Sequence, residues 1–286
     1  MSPPTFDNLT LDPSGPPGNA WGLFGPANND LGMLNLLTPE TVRQAATEEI
    51  RDGVRISLDL PLDRVRYSSF GRKPFVQELI NKVPRGMGFG IMGLRVRDAN
   101  VETWAKKGGI TGRGILLDYA HWASSHSIPL TPFTTSSIPL SHLQSLITEY
   151  NICPRPGDIL FIRTGFTAAF NALTRAQEEE LGNRPAPSFA GIENGEAMLR
   201  WLWENQFAAV ASDTPSLEPA PIKHEKGMTL HEWCLAGWGM PIGEYFDLEE
   251  LATYCREKGR WGFFLCSVPL KVPGGVASPP NAVAIL

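Results

Sequence analysis

Residues 207–250 read FAAVASDTPSLEPAPIKHEKGMTLHEWCLAGWGMPIGEYFDLEE. The opening run, Phe207 to Asp213, is short, apolar and bounded by a turn, the pattern of a buried strand. A Pro-rich loop over 215–221 follows, then helical spacing from Thr229 to Ala236 and a second strand-like run from Met240 to Phe246. Asp247 and Glu250 stand in a capping-box-like arrangement at the start of a helix that runs to Lys258, with Gly259 as its C′ residue. Strand, helix, strand and helix within one stretch predict an α/β (α+β) chain.

The alternation continues outward. On the N-terminal side, Thr38 can cap a helix, Pro39 suits its first position, and Glu40 complements the positive end of the dipole. Val42, Ala45, Ala46 and Ile50 give that helix one apolar face. Arg55 to Leu62 (RISLDLPL) alternates as a strand, and a short helix is predicted over Asn100 to Lys107. Gly114 to Tyr119 (GILLDY) and Asp158 to Thr164 (DILFIRT) read as buried strands around a helical stripe of Leu143, Leu146, Ile147 and Tyr150. Helices near 174–181 and over Glu193 to Asn205 follow, and Trp261 to Val268 and Asn281 to Leu286 close the chain as strands. Residues 1–20, rich in Pro, Gly and Asn, predict an irregular arm. With no repeat and no linker in sight, residues 21–286 read as one domain.

Bulk composition narrows the function classes. The chain has 286 residues, 42% hydrophobic and 19% charged, with a net charge of −5. That balance suits a globular protein and gives no pull toward nucleic acid or anionic membranes. The N-terminus lacks the basic and apolar regions of a secretory leader, and no run approaches the roughly 20 apolar residues of a membrane span. A cytoplasmic location is the expectation. The basic cluster Arg64 to Lys73 is broken by Val65, Tyr67 and Phe70 and reads as a solvated loop. Cysteines 153, 234, 255 and 266 form no C-x-x-C pair and read as buried free thiols.

Neither a G-x-S-x-G elbow nor a phosphate-binding loop occurs, and the glycine-dense Pro84 to Gly93 reads as a loop. His121, His126 and His142 read as surface or capping residues. His224 and His231 are different. Both follow the Ser212-Asp213-Thr214-Pro215 turn at the end of a buried strand, a favoured functional position in open α/β sheets. His231 precedes a helix that returns to a strand carrying Glu244. A histidine and a carboxylate brought together in this way could bind Zn²⁺ or Mn²⁺. A purely structural His231–Glu244 hydrogen bond would carry the same pattern.

The segments LNLLTPETVRQAA, ISLDLPLD, GGITGRGILLDY, PGDILFIRTGF, GIENGEAMLRWLWENQFAAVASDTPS, LHEWCLAGWGMPIGEYFDLEEL and VPGGVASPPNAVAI together resemble the cyclase family, which includes kynurenine formamidase and isatin hydrolase. The resemblance covers the chain from about Trp21 onward. It implies a single-domain swivelling β/β/α fold and hydrolysis of an amide, lactam or similar bond with one or two divalent metals. It places His231 and Glu244 in metal-ligand positions, gives Glu244 and Asp213 a catalytic part, and puts Asp213 at a recurrent acidic position near the site. Asp213 could equally cap its own turn.

The family's N-terminal ligand motif, of the H-x-G-T-H-x-D or W-D-x-x-x-H type, has no counterpart here. Phe75 to Trp104 reads FVQELINKVPRGMGFGIMGLRVRDANVETW, without a histidine, and its one aspartate, Asp98, reads as a helix cap. Catalytic zinc sites keep three protein ligands, so His224 is the candidate third donor beside His231 and Glu244. The resulting expectation is a cyclase or hydrolase with zinc or manganese, acting on a small, aromatic amide, lactam or ester in fungal-type secondary metabolism. The alternative is a family member without metal that binds a ligand or assists a cyclisation. Expected partners are a small-molecule substrate and, by family habit, further copies of the chain.

Overall fold

The computed structural model describes residues 3–73, 75–76, 101–223, 229–271 and 277–286. The glycine-rich 84–93, Asp98 and His224 lie outside the described residues.

Along the described chain the strands are β1 (Arg55–Ser57), β2 (Ile110–Leu117), β3 (Ser137–Ile138), β4 (Ile159–Ile162), β5 (Gly191–Ile192), β6 (Ala209–Ser212), β7 (Ile242–Gly243), β8 (Gly262–Ser267) and β9 (Ala282–Ile285). The α-helices are α1 (Pro39–Glu49), α2 (Val101–Lys106), α3 (Tyr119–Ser125), α4 (Leu140–Glu149), α5 (Phe166–Asn171), α6 (Arg175–Gly182), α7 (Glu196–Glu204) and α8 (Glu249–Lys258). Seven strands form one sheet in the order β1-β9-β8-β2-β4-β6-β7, and β3 pairs with β5 beside it. β2, β4, β6 and β7 are parallel, while β8, β9 and β1 add antiparallel strands on the far side of β2. This mixed α/β architecture agrees with the class read from the alternation of elements.

The central strands are apolar on both faces because both faces are covered. Ile115, Leu117, Leu160, Ile162 and Val210 point into a core closed by α3, α4 and α7. Their neighbours Leu116, Ile159, Phe161, Ala209 and Ala211 point the other way, onto Leu251, Ala252 and Cys255 of α8 and the side chains of β8 and β9. Each fully buried Leu, Ile or Phe contributes about 1.5–3 kcal/mol relative to exposure. The two-sided core is therefore the main stabilising term.

Helix signals read from the sequence have clear counterparts. The Thr38 side chain accepts from the Thr41 amide with Pro39 in the first turn, and Gly259 ends α8 with φ +60°. The structure adds a full capping box of Thr174 and Gln177 on α6, which the sequence reading did not name.

Several expectations need correction. The strand expected over Arg55–Leu62 stops at Ser57: Leu58 still donates to Ala282, but Asp59 turns to bridge Phe246, and Pro61 has no N–H to extend the ladder. The run Met240–Phe246 narrows to β7 because Pro241 cannot donate and Tyr245 takes a left-handed φ of +59°. α8 is capped at Leu248, and Asp247 accepts from the Glu249 amide instead of forming the expected box. Cys153 is exposed, so only part of the set is buried thiol. Arg64 is no solvated loop residue: it reaches buried Glu178 at 2.7 Å, Asn171 and the Phe170 carbonyl.

The N-terminal arm is ordered by packing. Phe6 stacks on Trp233 at 5.4 Å between ring centroids, and the Trp203 and Trp238 indoles donate to the carbonyls of Pro4 and Gly18. Gly18 has φ +75°, and a Cβ there would fall 2.1 Å from the Trp233 ring, so only glycine allows this close approach. Among the described residues no helix is long and apolar enough to cross a membrane.

Candidate functional site

The C-terminal ends of β4, β6 and β7 open onto one region, the place where parallel strands present functional groups. Beyond β6 the chain runs through Asp213 and Thr214 to Glu218. Main-chain bonds fix this loop: Ile192 of β5 donates to the Leu217 carbonyl at 3.0 Å, and Phe189 and Ala220 exchange two bonds. Gly191 lies so close that a Cβ there would be 2.4 Å from the Glu218 carbonyl carbon. The Glu218 backbone is held from two sides, and its side chain is fully buried.

Thr229 begins the next segment. Its hydroxyl accepts from the Glu232 amide and donates to the Glu232 carboxylate, while Asn194 accepts from Leu230 at 3.1 Å. The helix expected over Thr229–Ala236 is a π-helical turn, Glu232–Gly237, with His231 at its N-cap. Trp238 donates to the Trp233 carbonyl across the wider turn, and the arm holds it from outside through Ala20 to Gly237 and the Trp21 indole to Ala236. π-turns occur frequently at functional sites.

His231 and Glu218 meet in two bonds. Glu218 Oε2 lies 2.6 Å from His231 Nδ1, and Oε1 accepts from the His231 amide at 3.2 Å. On the other edge of the ring, Nε2 is 3.3 Å from Glu244 Oε1. Glu244 follows β7 directly, and its neighbours Tyr245 and Phe246 donate to Thr214 and Ser212. The second oxygen of Glu244 faces Arg72 Nη2 at 3.5 Å. Four charged side chains therefore stand in a row: Glu218, His231, Glu244, Arg72.

Burial alone would lower the His231 pKa, but hydrogen bonds to Glu218 and then Glu244 outweigh it and raise the value from 6.5 to about 10. In the cation-free protein both ring nitrogens then donate. Because the folded value is the higher one, this pairing contributes stability that is fully present below pH 6.5 and is lost as pH rises through about 10. Wild type in chelator should lose stability relative to His231→Gln over that window, measured by denaturant unfolding at its two ends. A difference that stays flat would mean the imidazole is already neutral at pH 6.5.

The same geometry fits one half of a cation site. Two donors at about 2.1 Å from a tetrahedral ion sit about 3.4 Å apart, close to the 3.3 Å between His231 Nε2 and Glu244 Oε1. A carboxylate on the other ring nitrogen is the usual support of a ligating histidine. The fit stops at two donors: among the described residues no group of three or more His, Cys, Asp or Glu is placed to hold a metal ion. The third donor expected from His224 lies outside the described residues.

Asp213 bonds neither His231 nor Glu244 and does not cap its own turn, where the Thr214 amide donates to the Ser212 hydroxyl. Its carboxylate is fully buried and accepts from the Thr164 amide and hydroxyl at 2.7 and 2.8 Å, so it ties the end of β4 to the end of β6. Burial first of all raises its pKa, against the hydrogen bonds from Thr164. His126 stacks on Trp122 and reaches Glu149, and His142 bonds the Tyr119 hydroxyl at 2.9 Å; both are packing residues. Cys234 is pushed up by burial and then by Glu218, so it stays a protonated, apolar thiol.

Two residues of the row escaped the sequence reading. Glu218 sits in a loop whose prolines signal only a turn, and an acidic residue flanked by Leu217 and Pro219 was the single available sign. Arg72 belongs to a stretch whose scattered charge suggests a solvated face.

Residues 96–219 match the family model described as "Putative cyclase". A solved structure described as a novel cyclase aligns with 94% of this chain and 99% of that one, at 27% identity and a TM-score of 0.73. Isatin hydrolase A from Ralstonia solanacearum aligns over 81% of this chain and 91% of its own, at 14% identity and a TM-score of 0.57. Isatin hydrolase A from Labrenzia aggregata, bound to benzyl benzoate, aligns over 86% and 97%, at 15% identity and the same TM-score of 0.57. At those identities the two hydrolases show likeness of fold. No curated protein sequence matches the chain. Over residues 96–219 the chain is similar to the cyclase family, and it shares its fold with these structures.

Proposed function

We propose that this chain is a hydrolase or cyclase acting on the amide, lactam or ester of a small aromatic molecule, with zinc or manganese held by His231 and Glu244. One observation carries the reading: buried Glu218 takes both the backbone and the Nδ1 side of His231 and leaves Nε2 facing Glu244. A divalent cation at these donors would supply Lewis-acid polarisation of a carbonyl and a more acidic water. Glu218 fixes the plane and tautomer of the imidazole. Glu244 is the group assigned to take a proton from the attacking water and pass it to the leaving nitrogen or oxygen. In that reaction the water oxygen bonds the carbonyl carbon, the C–N or C–O bond breaks, and the products are an acid and an amine or alcohol. Ring closure with loss of water is the same step reversed. The net charge of −5 supports a small-molecule substrate over nucleic acid.

A second reading, a family member that binds a ligand or assists cyclisation without a cation, is supported by Arg72. Its guanidinium supplies positive charge to Glu244, where a cation would otherwise do so. Elemental analysis of the purified protein separates the two. Near-stoichiometric zinc or manganese in wild type, absent from His231→Ala, is the expected result. A wild type that stays metal-free after incubation with both ions would leave the second reading standing.

A further inference from the structure

We propose that Arg72, with Phe70, forms a subsite for an aryl carboxylate, the acid released when an aryl amide, lactam or ester is hydrolysed; this rests on the hydrolase reading and names its product class.

The first support is the looseness of the Arg72 ion pair. Arg64, Arg113 and Arg163 each close on a carboxylate at 2.7 Å, with side chains 19%, 12% and 11% exposed. Those are structural pairs. Arg72 stands 3.5 Å from Glu244, and its side chain is 50% exposed. Its guanidinium is brought to the site without being locked there, and its planar fork matches a carboxylate.

A second support comes from the turn that carries it. Phe70 has φ +61° and Gly71 φ +65°. A bulky residue in the left-handed region is an outlier, and such strain persists where the surroundings hold it and gathers at ligand sites. Here the turn closes through the Arg72 amide to the buried Ser69 carbonyl at 3.3 Å. It sets the guanidinium 5.4 Å from the centre of the Phe70 ring, and that ring is braced by Phe189 at 5.9 Å yet remains exposed. An open aromatic face beside an open cation matches an aromatic ring bearing an anion.

Ligand-observed NMR titration of the purified protein with benzoate and with its neutral isostere benzamide tests the assignment. Wild type should bind benzoate about tenfold more tightly than benzamide, as a charge-assisted pair requires. Arg72→Gln should lose that preference while keeping its benzamide affinity, and Arg72→Lys should fall between. Benzoate binding unchanged in Arg72→Gln, or no preference for benzoate in wild type, overturns the subsite. The outcome is independent of the metal analysis: metal lost in His231→Ala together with unchanged benzoate binding in Arg72→Gln would sink the subsite alone. Loss of benzoate binding in a protein that takes up no metal would sink the hydrolase reading alone.

Discussion

Glu218→Ala is expected to weaken zinc binding by about 10–100-fold, the usual effect of removing the carboxylate behind a ligating histidine. The side chain is fully buried and both its oxygens are spent on His231. Without it the imidazole loses the partner that selects its tautomer, and the His231 amide loses its acceptor. Each buried donor left without a partner costs about 1–3 kcal/mol, so unfolding should also move to lower denaturant. Glu218→Gln keeps an acceptor oxygen but no charge and should fall between wild type and alanine. Zinc affinity is read by competition with a chromogenic chelator. The titration of the His231 ring protons in metal-free protein provides a separate readout, with a midpoint that should drop toward the ordinary imidazole range. Wild-type affinity together with an unmoved midpoint would remove Glu218 from the site.

The second large effect concerns stability. Asp118 caps α3 at the end of β2, is fully buried, and lies between Arg163 at 2.7 Å and Arg256. Arg163 also holds Glu249 at the start of α8 through two bonds, of 2.9 and 2.7 Å. One carboxylate thus joins β2, β4 and α8, through an arginine that directly precedes the Thr164 that binds Asp213. Breaking a buried pair leaves an uncompensated charge, so Asp118→Ala should cost about 3–5 kcal/mol in urea unfolding. Asp118→Asn restores an acceptor but not the charge and should recover only part. A loss below about 1 kcal/mol in the alanine variant would show that water or local rearrangement solvates both arginines.

The residues of the site divide by how their signals reach the sequence. His231 and Glu244 were legible because each is a donor type placed beside a strand end, and the same strand ends carry the family's blocks. Their approach to 3.3 Å needed the π-turn, and that turn depends on Phe6 and Gly18, more than two hundred positions distant in sequence, packing on Trp233 and Trp238. Glu218 was illegible for a related reason. Its role comes from burial, and burial of a loop carboxylate is set by β5, by Phe189 and by the histidine that comes to it. Arg72 is drawn to Glu244 across the fold, which no local pattern encodes.

What the sequence determined by itself is local and periodic: the caps at Thr38 and Gly259, the apolar runs of β2, β4, β6, β8 and β9, and hence an α/β (α+β) class. These follow from hydrogen-bond chemistry and side-chain spacing within a few residues. Tertiary structure alone decided where strands stop and which charges meet. β1 ends because Asp59 finds Phe246, and Asp213 is sealed because Thr164 reaches it from another strand. His231 holds its proton because Glu218 and Glu244 flank it. Each of these outcomes is a long-range contact, whose free energy depends on desolvation and distance between groups that the chain brings together only when folded.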